Sequence, residues 1–167
     1  DFHIKALKQL GGRVELDYGN IIIKGELKGA EVSFEKISVG ATGNIIMAAV
    51  KAKGRTIIKN ASIEPEIINL MNFLNTIGAD ISVDKNKNKY IINGVKTLAK
   101  TSEFDIIPDR IEAGTYMIAA ALSKGLVVLK NVIPRHLSAV IKKIEKVGAK
   151  IVIGKDDITI VGPSNIK

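Results

Sequence analysis

The chain repeats itself, and that repeat restricts the folds open to it more than any other feature. Leu10-Gly11-Gly12-Arg13-Val14-Glu15-Leu16, Ile77-Gly78-Ala79-Asp80-Ile81-Ser82-Val83 and Val147-Gly148-Ala149-Lys150-Ile151-Val152-Ile153 align at spacings of 67 and then 70 residues. Each copy continues through a polar turn into a second alternating stretch closed by glycine, Ile21 to Gly25, Tyr90 to Gly94 and Ile158 to Gly162. Self-similarity at a near-fixed period marks like supersecondary units set side by side. Upstream of the second and third copies the match extends further, Ala48 to Gly54 and Asn60 answering Ala119 to Gly125 and Asn131, whereas the first copy has no such upstream half.

Local chemistry gives each unit its elements. Residues 41–53 and 112–124 are Ala-rich with apolar positions at helical spacing, and Gly54 and Gly125 stand where helices stop. Their small side chains predict helices packed closely against neighbours. Strands are expected at Thr56–Lys59 and Val127–Lys130. Pro65 and Pro134 mark the first turns of second helices that stop at Gly78 and Gly148, and hairpins turning at 84–89 and 154–157 close the units. One further strand leads into each unit, Glu31–Phe34 and Glu103–Ile107. The expected fold is therefore α/β, an αβαββ unit with a mixed sheet and helices on one face. Residues 95–102 are the best linker.

Composition narrows the function. The 167 residues carry a net charge of +8, are 46% hydrophobic, and contain no Cys and no Trp. Such a chain has mass for a real core, and it offers no disulfide, zinc-thiolate site or thiol nucleophile. A reducing, cytoplasmic setting is expected, and no apolar run approaches the roughly 18 residues of a membrane span. The basic excess is scattered lysine, with Arg only at 13, 55, 110 and 135 and few aromatics to stack on bases, so nucleic acid is not the expected partner. Lys142, Lys143 and Lys146 oppose Val140, Ile141, Ile144 and Val147, as a solvated helix face should.

Glu35 to Thr42 runs from a strand end through small residues into a helix N-terminus. Free N–H groups and the helix dipole suit an anion there, with Lys36 and Ser38 adding a charge and a hydroxyl; the plainer role for Ser38 or Thr42 is to cap the helix. Its spacing matches neither the Walker loop nor the dinucleotide fingerprint. Glu64 and Glu66, and Asp109, Arg110 and Glu112, sit at first turns, where acidic groups also simply complement the dipole. Asp109 and Glu112, three apart, can share a face, whereas Glu64 and Glu66 diverge. His3 and His136 lack ligand-spaced partners, so no metal and no cofactor are expected.

Asp1-Phe2-His3-Ile4, Lys36 to Thr42, Asn60 to Ile67 and Pro108 to Thr115 together resemble the enolpyruvyl transferases, and within them the branch acting on UDP-N-acetylglucosamine more closely than the shikimate branch. The resemblance runs the length of the chain in the same order. It implies an inside-out α/β barrel of two lobes, each of three units with helices inside and sheets outside, of which this chain holds about two and a half of six. Residues 1–100 would be the latter part of the first lobe, made of a half unit 1–35, a full unit 36–94 and the linker; residues 101–167 would be the first unit of the second lobe.

The implied reaction moves the enolpyruvyl group of phosphoenolpyruvate to the 3-hydroxyl of UDP-N-acetylglucosamine through a tetrahedral intermediate, releasing phosphate in peptidoglycan synthesis. By the same resemblance Asp1 and Phe2 end the uridine-binding stretch, which His3 adjoins. Lys36, Ile37, Ser38 and Val39 match the diphosphate-binding segment, with Gly40 beside it. Glu64, Glu66, Asp109, Arg110 and Glu112 match cleft-lining positions. The loop carrying the Cys or Asp general acid, the Arg-Pro-Val before Asp1, the Lys-Asn pair, the Asp base and the arginines that hold phosphoenolpyruvate have no counterpart in these residues. The expectation is a piece of a larger enzyme, inactive alone. Two rivals stand beside it: an RNA-binding protein of the RNA 3′-terminal phosphate cyclase kind, motivated by the charge, and a noncatalytic assembly module that self-associates through its incomplete unit.

Overall fold

The computed structural model describes residues 2–100 and 103–165. They gather into two compact units, Asp1–Asp105 and Ile106–Lys167. The first contains α1 (Phe2–Gln9), β1 (Arg13–Asp17), β2 (Asn20–Lys24), β3 (Glu31–Ser33), α2 (Val39–Val50), β4 (Arg55–Lys59), α3 (Pro65–Thr76), β5 (Asp80–Asp84) and β6 (Lys89–Asn93). The second contains α4 (Arg110–Leu122), β7 (Leu126–Lys130), α5 (Ser138–Lys146), β8 (Lys150–Ile153) and β9 (Asp157–Val161). The αβαββ order thus occurs twice, as the repeat predicts.

In the first unit the strands run β3-β4-β6-β5, with β3 parallel to β4 and the remaining pairs antiparallel. Pairing Thr56 with Ile92, Ile58 with Tyr90 and Ile81 with Ile92 puts these side chains on one face, where all are buried. Strand alternation demands that single-faced pattern when helices cover only one side. The Ala-rich α2 supplies Ala41, Ile45, Ile46 and Ala49 to the same core, each fully buried. In the second unit the order is β7-β9-β8, and Ile158 and Ile160 of β9 are buried with Met117, Ala120 and Ala121 of α4.

The glycine that closes the second and third copies has a steric cause. A β-carbon at Gly94 would stand 1.6 Å from the Ala52 carbonyl oxygen, and one at Gly162 would stand 2.3 Å from that of Ala120. Gly94 and Gly162 also donate equivalent 2.8 Å bonds to the carbonyls of Gly54 and Gly125. The shared Asn60 and Asn131 adopt left-handed φ of 51° and 55°, a region Asn enters more readily than most residues.

Several boundaries differ from expectation. Glu103–Ile107 forms no strand: Phe104 instead packs edge-on against Phe73 of α3 with centroids 5.2 Å apart, and the Asp105 carbonyl accepts from Asn69 Nδ2 at 3.4 Å. An alternating stretch becomes a strand only where a ladder partner is available, and α3 takes this one first. The first helix of each unit begins and ends earlier than its spacing predicts, with α2 capped at Lys51 and α4 at Ser123. After α4 the left-handed residue is Lys124 (φ 57°) and not Gly125. Pro134 opens a 3-10 turn, Pro134–Leu137, and α5 starts only at Ser138. Phe2–Gln9 forms a further helix outside the expected elements; Ala6 and Leu10 bury one stripe and Gly11 (φ 94°) ends it. The leading part of the linker is strapped down, with Val95 N–H donating to Val50 O and Ala99 N–H to Ile77 O, both at 2.8 Å. Thr101 and Ser102 lie outside the described residues.

Candidate functional site

The chain leaves β3 through Phe34 and Glu35 and enters α2 at Ser38, whose extended backbone (φ −134°, ψ 118°) fits an N-cap. Ser38 Oγ accepts from Ala41 N–H at 3.3 Å, so the capping role is realised. Thr42, fully buried, donates to the Ser38 carbonyl at 2.7 Å and accepts from Ser62 N–H at 3.0 Å. Ser62 in turn accepts at its carbonyl from Tyr90 Oη (3.0 Å) and at Oγ from Glu64 N–H (3.3 Å). This chain of bonds fixes the start of α2 against the start of α3. Burial pushes the Tyr90 hydroxyl up to about 12, so it stays a donor over the whole neutral range.

The first turn itself is open. Lys36, Ile37, Val39 and Gly40 are exposed and Ser38 is half-buried. The N–H groups of Val39 and Gly40 have no intrahelical acceptor and lie at the positive end of the dipole. Glu35 is engaged elsewhere, its carboxylate accepting from Lys5 Nζ at 2.7 Å. That hydrogen bond, and the Lys5 charge, hold the Glu35 carboxyl below the usual carboxylate range. Among the described residues Lys36 makes no ion pair. Lys36, two residues ahead of the N-cap Ser38, thus brings a positive charge close in the chain to an electropositive helix end, without a described acidic partner.

The α1 helix brings His3 to the same turn. Asn44 Nδ2 lies 2.7 Å from His3 Nδ1, and a β-carbon at Gly40 would be 3.5 Å from His3 Cε1 and 3.7 Å from Nε2. Phe2 is half-buried against Phe34, ring centroids 6.4 Å apart. Asp1 lies outside the described residues. Asn44 was not singled out from sequence; its partner is far away in the chain and no motif connects them.

Glu64 is the N-cap of α3 but makes no side-chain cap bond, and Glu66 lies in its first turn; both are half-buried. In the second unit Asp109 caps α4, with Oδ1 accepting from Ile111 N–H at 2.7 Å and Glu112 N–H at 3.2 Å. Asp109 and Glu112 do share a face: with Tyr116 and Lys130 they line a groove of about 350 Å³ between α4 and β7. Arg110 and His136 meet at a smaller depression beside it. Among the described residues no group of three His, Cys, Asp or Glu side chains could hold a metal ion, and no helix is long and apolar enough to cross a membrane.

Known proteins are similar to this chain in sequence and in fold. The family model for EPSP synthase (3-phosphoshikimate 1-carboxyvinyltransferase) matches residues 1–167. The UDP-N-acetylglucosamine 1-carboxyvinyltransferase of Campylobacter hominis is 41% identical over 167 residues, covering 100% of this chain and 40% of that protein. The protein of the same name from Wolbachia pipientis wMel is 47% identical over 153 residues, covering 90% and 35%. Among solved structures, the enolpyruvyl transferase NikO from Streptomyces tendae superposes with TM-score 0.84 at 17% identity, over 98% of this chain and 42% of that one. EPSP synthase from Acinetobacter baumannii superposes with TM-score 0.66 at 23% identity, over 99% and 40%. The chain thus spans about two fifths of the length of these relatives. With a repeated αβαββ unit, a match over its whole length and relatives this similar, it belongs to the EPSP synthase family of enolpyruvyl transferases.

Proposed function

We propose that this chain is part of an enolpyruvyl transferase that moves the enolpyruvyl group of phosphoenolpyruvate to the 3-hydroxyl of UDP-N-acetylglucosamine, and that it supplies the diphosphate-binding portion of the nucleotide-sugar site. The substrate branch is supported by identities of 41% and 47% to proteins named for that reaction. The observation that carries the site is Lys36, without a described ion-pair partner, just ahead of the open first turn of α2. A diphosphate there gains one full positive charge, the N–H groups of Val39 and Gly40, and the dipole behind them. Ser38 shapes the turn by capping it, and Ile37 and Val39 offer apolar cover at its rim. Phe2 and Asp1 belong to the uridine end in this reading, and residues 1–100 and 101–167 to the first and second lobes.

The chain's part in the reaction is to bind and orient. Anchoring the diphosphate fixes the sugar, so that its 3-hydroxyl meets phosphoenolpyruvate in one pose and a bimolecular encounter becomes a positioned one. No residue here is assigned an acid or base role. The substrate reading is tested by following phosphate release from phosphoenolpyruvate with the full-length protein. UDP-N-acetylglucosamine should support turnover and shikimate 3-phosphate should not. Turnover with shikimate 3-phosphate alone would overturn it.

A further inference from the structure

Segment 60–62 holds the loop that carries Lys36 at both of its ends. Asn60 Nδ2 donates to the Phe34 carbonyl at 2.8 Å, and Ser62 N–H donates at 3.0 Å to Thr42 Oγ1, whose own hydrogen goes to the Ser38 carbonyl at 2.7 Å. Tyr90 Oη holds the segment in turn, donating to the Ser62 carbonyl at 3.0 Å. A threonine that bonds only back to the carbonyl four residues before it is commonplace in helices. The bond from Ser62 N–H, 20 residues further along the chain, makes Thr42 a bridge, because one hydroxyl accepts from segment 60–62 and donates into the cap of α2.

The second unit serves as a control. Counting from the aligned Ala48–Gly54 and Ala119–Gly125, Thr42 and Ser62 correspond to Ala113 and Ile133. Tyr90, opposite Ile58 on β4, corresponds to Ile158, opposite Leu129 on β7. An αβαββ unit therefore folds with three apolar side chains where the first unit buries three hydroxyl-bearing ones. Buried hydroxyls cost free energy unless they are bonded, and the fold as such does not require them here. The helix starts differ to match. Asp109 caps α4 with a carboxylate that takes two N–H groups, whereas the uncharged Ser38 takes one and the first turn of α2 holds no acidic residue. We propose that Thr42 is a positioning residue: through its bridge, segment 60–62 fixes the cap of α2 and the loop before it, and so the turn that meets the diphosphate of the nucleotide sugar. The ligand half of this assignment rests on the diphosphate reading above; the bridge does not.

Two measurements on the full-length protein test it. Hydrogen exchange at the Ser62 amide should quicken in Thr42→Val, which keeps the volume and loses the hydroxyl, and stay as in wild type in Thr42→Ser. Affinity for UDP-N-acetylglucosamine should fall about threefold to tenfold in Thr42→Val, the size of one lost hydrogen bond, and remain within about twofold of wild type in Thr42→Ser, with the KM for phosphoenolpyruvate unchanged in both. Thr42→Ala, with the side chain that the second unit carries at this place, repeats both measurements should Thr42→Val not fold. Unchanged Ser62 exchange on loss of the hydroxyl would overturn the bridge. Quickened exchange with wild-type affinity, alongside weakened binding in Lys36→Ala, would overturn the positioning role and leave the diphosphate site standing. Equal losses of affinity in Thr42→Val and Thr42→Ser would also overturn it, since the hydroxyl would not be the cause. Unchanged affinity in Lys36→Ala would instead sink the diphosphate reading, and the ligand half of this proposal with it.

Discussion

Tyr90 shows how one residue ties the site to the stability of the fold. Its hydroxyl is buried beneath the start of α2 and α3 and donates to the Ser62 carbonyl at 3.0 Å. Because burial raises it to about 12 and an unfolded tyrosine ionises near about 10, the unfolded chain loses this proton first as pH rises. The unfolded state then binds fewer protons than the native one, so stability is complete below about pH 10 and declines through about pH 12. Tyr90→Phe should be about 1 kcal/mol less stable than wild type at pH 8, having lost the bond to Ser62. The gap should close or reverse by about pH 11.5 in denaturant titrations; a gap independent of pH would contradict this. At this scale the sequence speaks unevenly. Ser38 is legible because caps have a local signature and their bonds span only a few residues. His3 with Asn44, and Thr42 with Ser62, are contacts between elements, and no spacing within one element encodes them.

The elements themselves were legible where periodicity and punctuation agree. Both full units show it: alternating apolar residues predict β5–β6 and β8–β9, and Gly78 and Gly148 do end the second helices, with φ of 98° and 101°. Glu103–Ile107 misleads because alternation describes a strand's faces and says nothing of its partner; Phe104 finds Phe73 instead. The closing glycines are the sharper lesson, since their identity reports a close approach of backbone and not a turn. Gly94→Ala and Gly162→Ala should each cost about 2–3 kcal/mol, the upper range of overpacking, because the atom in the way is a carbonyl oxygen that cannot rotate aside. Gly40→Ala, which meets only ordinary contacts, should be neutral or stabilising by about 0.5 kcal/mol. Urea midpoints of the three variants check this, and equal effects at all three positions would contradict it.

At the scale of the whole molecule, two compact units of one repeated design account for the sequence period, and membership of the enolpyruvyl transferases accounts for the design. The basic charge that first invites a nucleic-acid reading includes the exposed Lys142, Lys143 and Lys146 on α5 and one exposed lysine, Lys36, just ahead of a helix end. What that end binds depends on groups brought together by folding, which is why sequence alone left capping and anion binding side by side. Calorimetric titration of UDP-N-acetylglucosamine into the full-length protein, comparing wild type, Lys36→Ala and the surface control Lys142→Ala, separates the two. Lys36→Ala should weaken binding about tenfold or more, as expected for loss of a charge-assisted contact to phosphate, while Lys142→Ala binds as wild type. Equal affinities for all three proteins would contradict a diphosphate site at the start of α2.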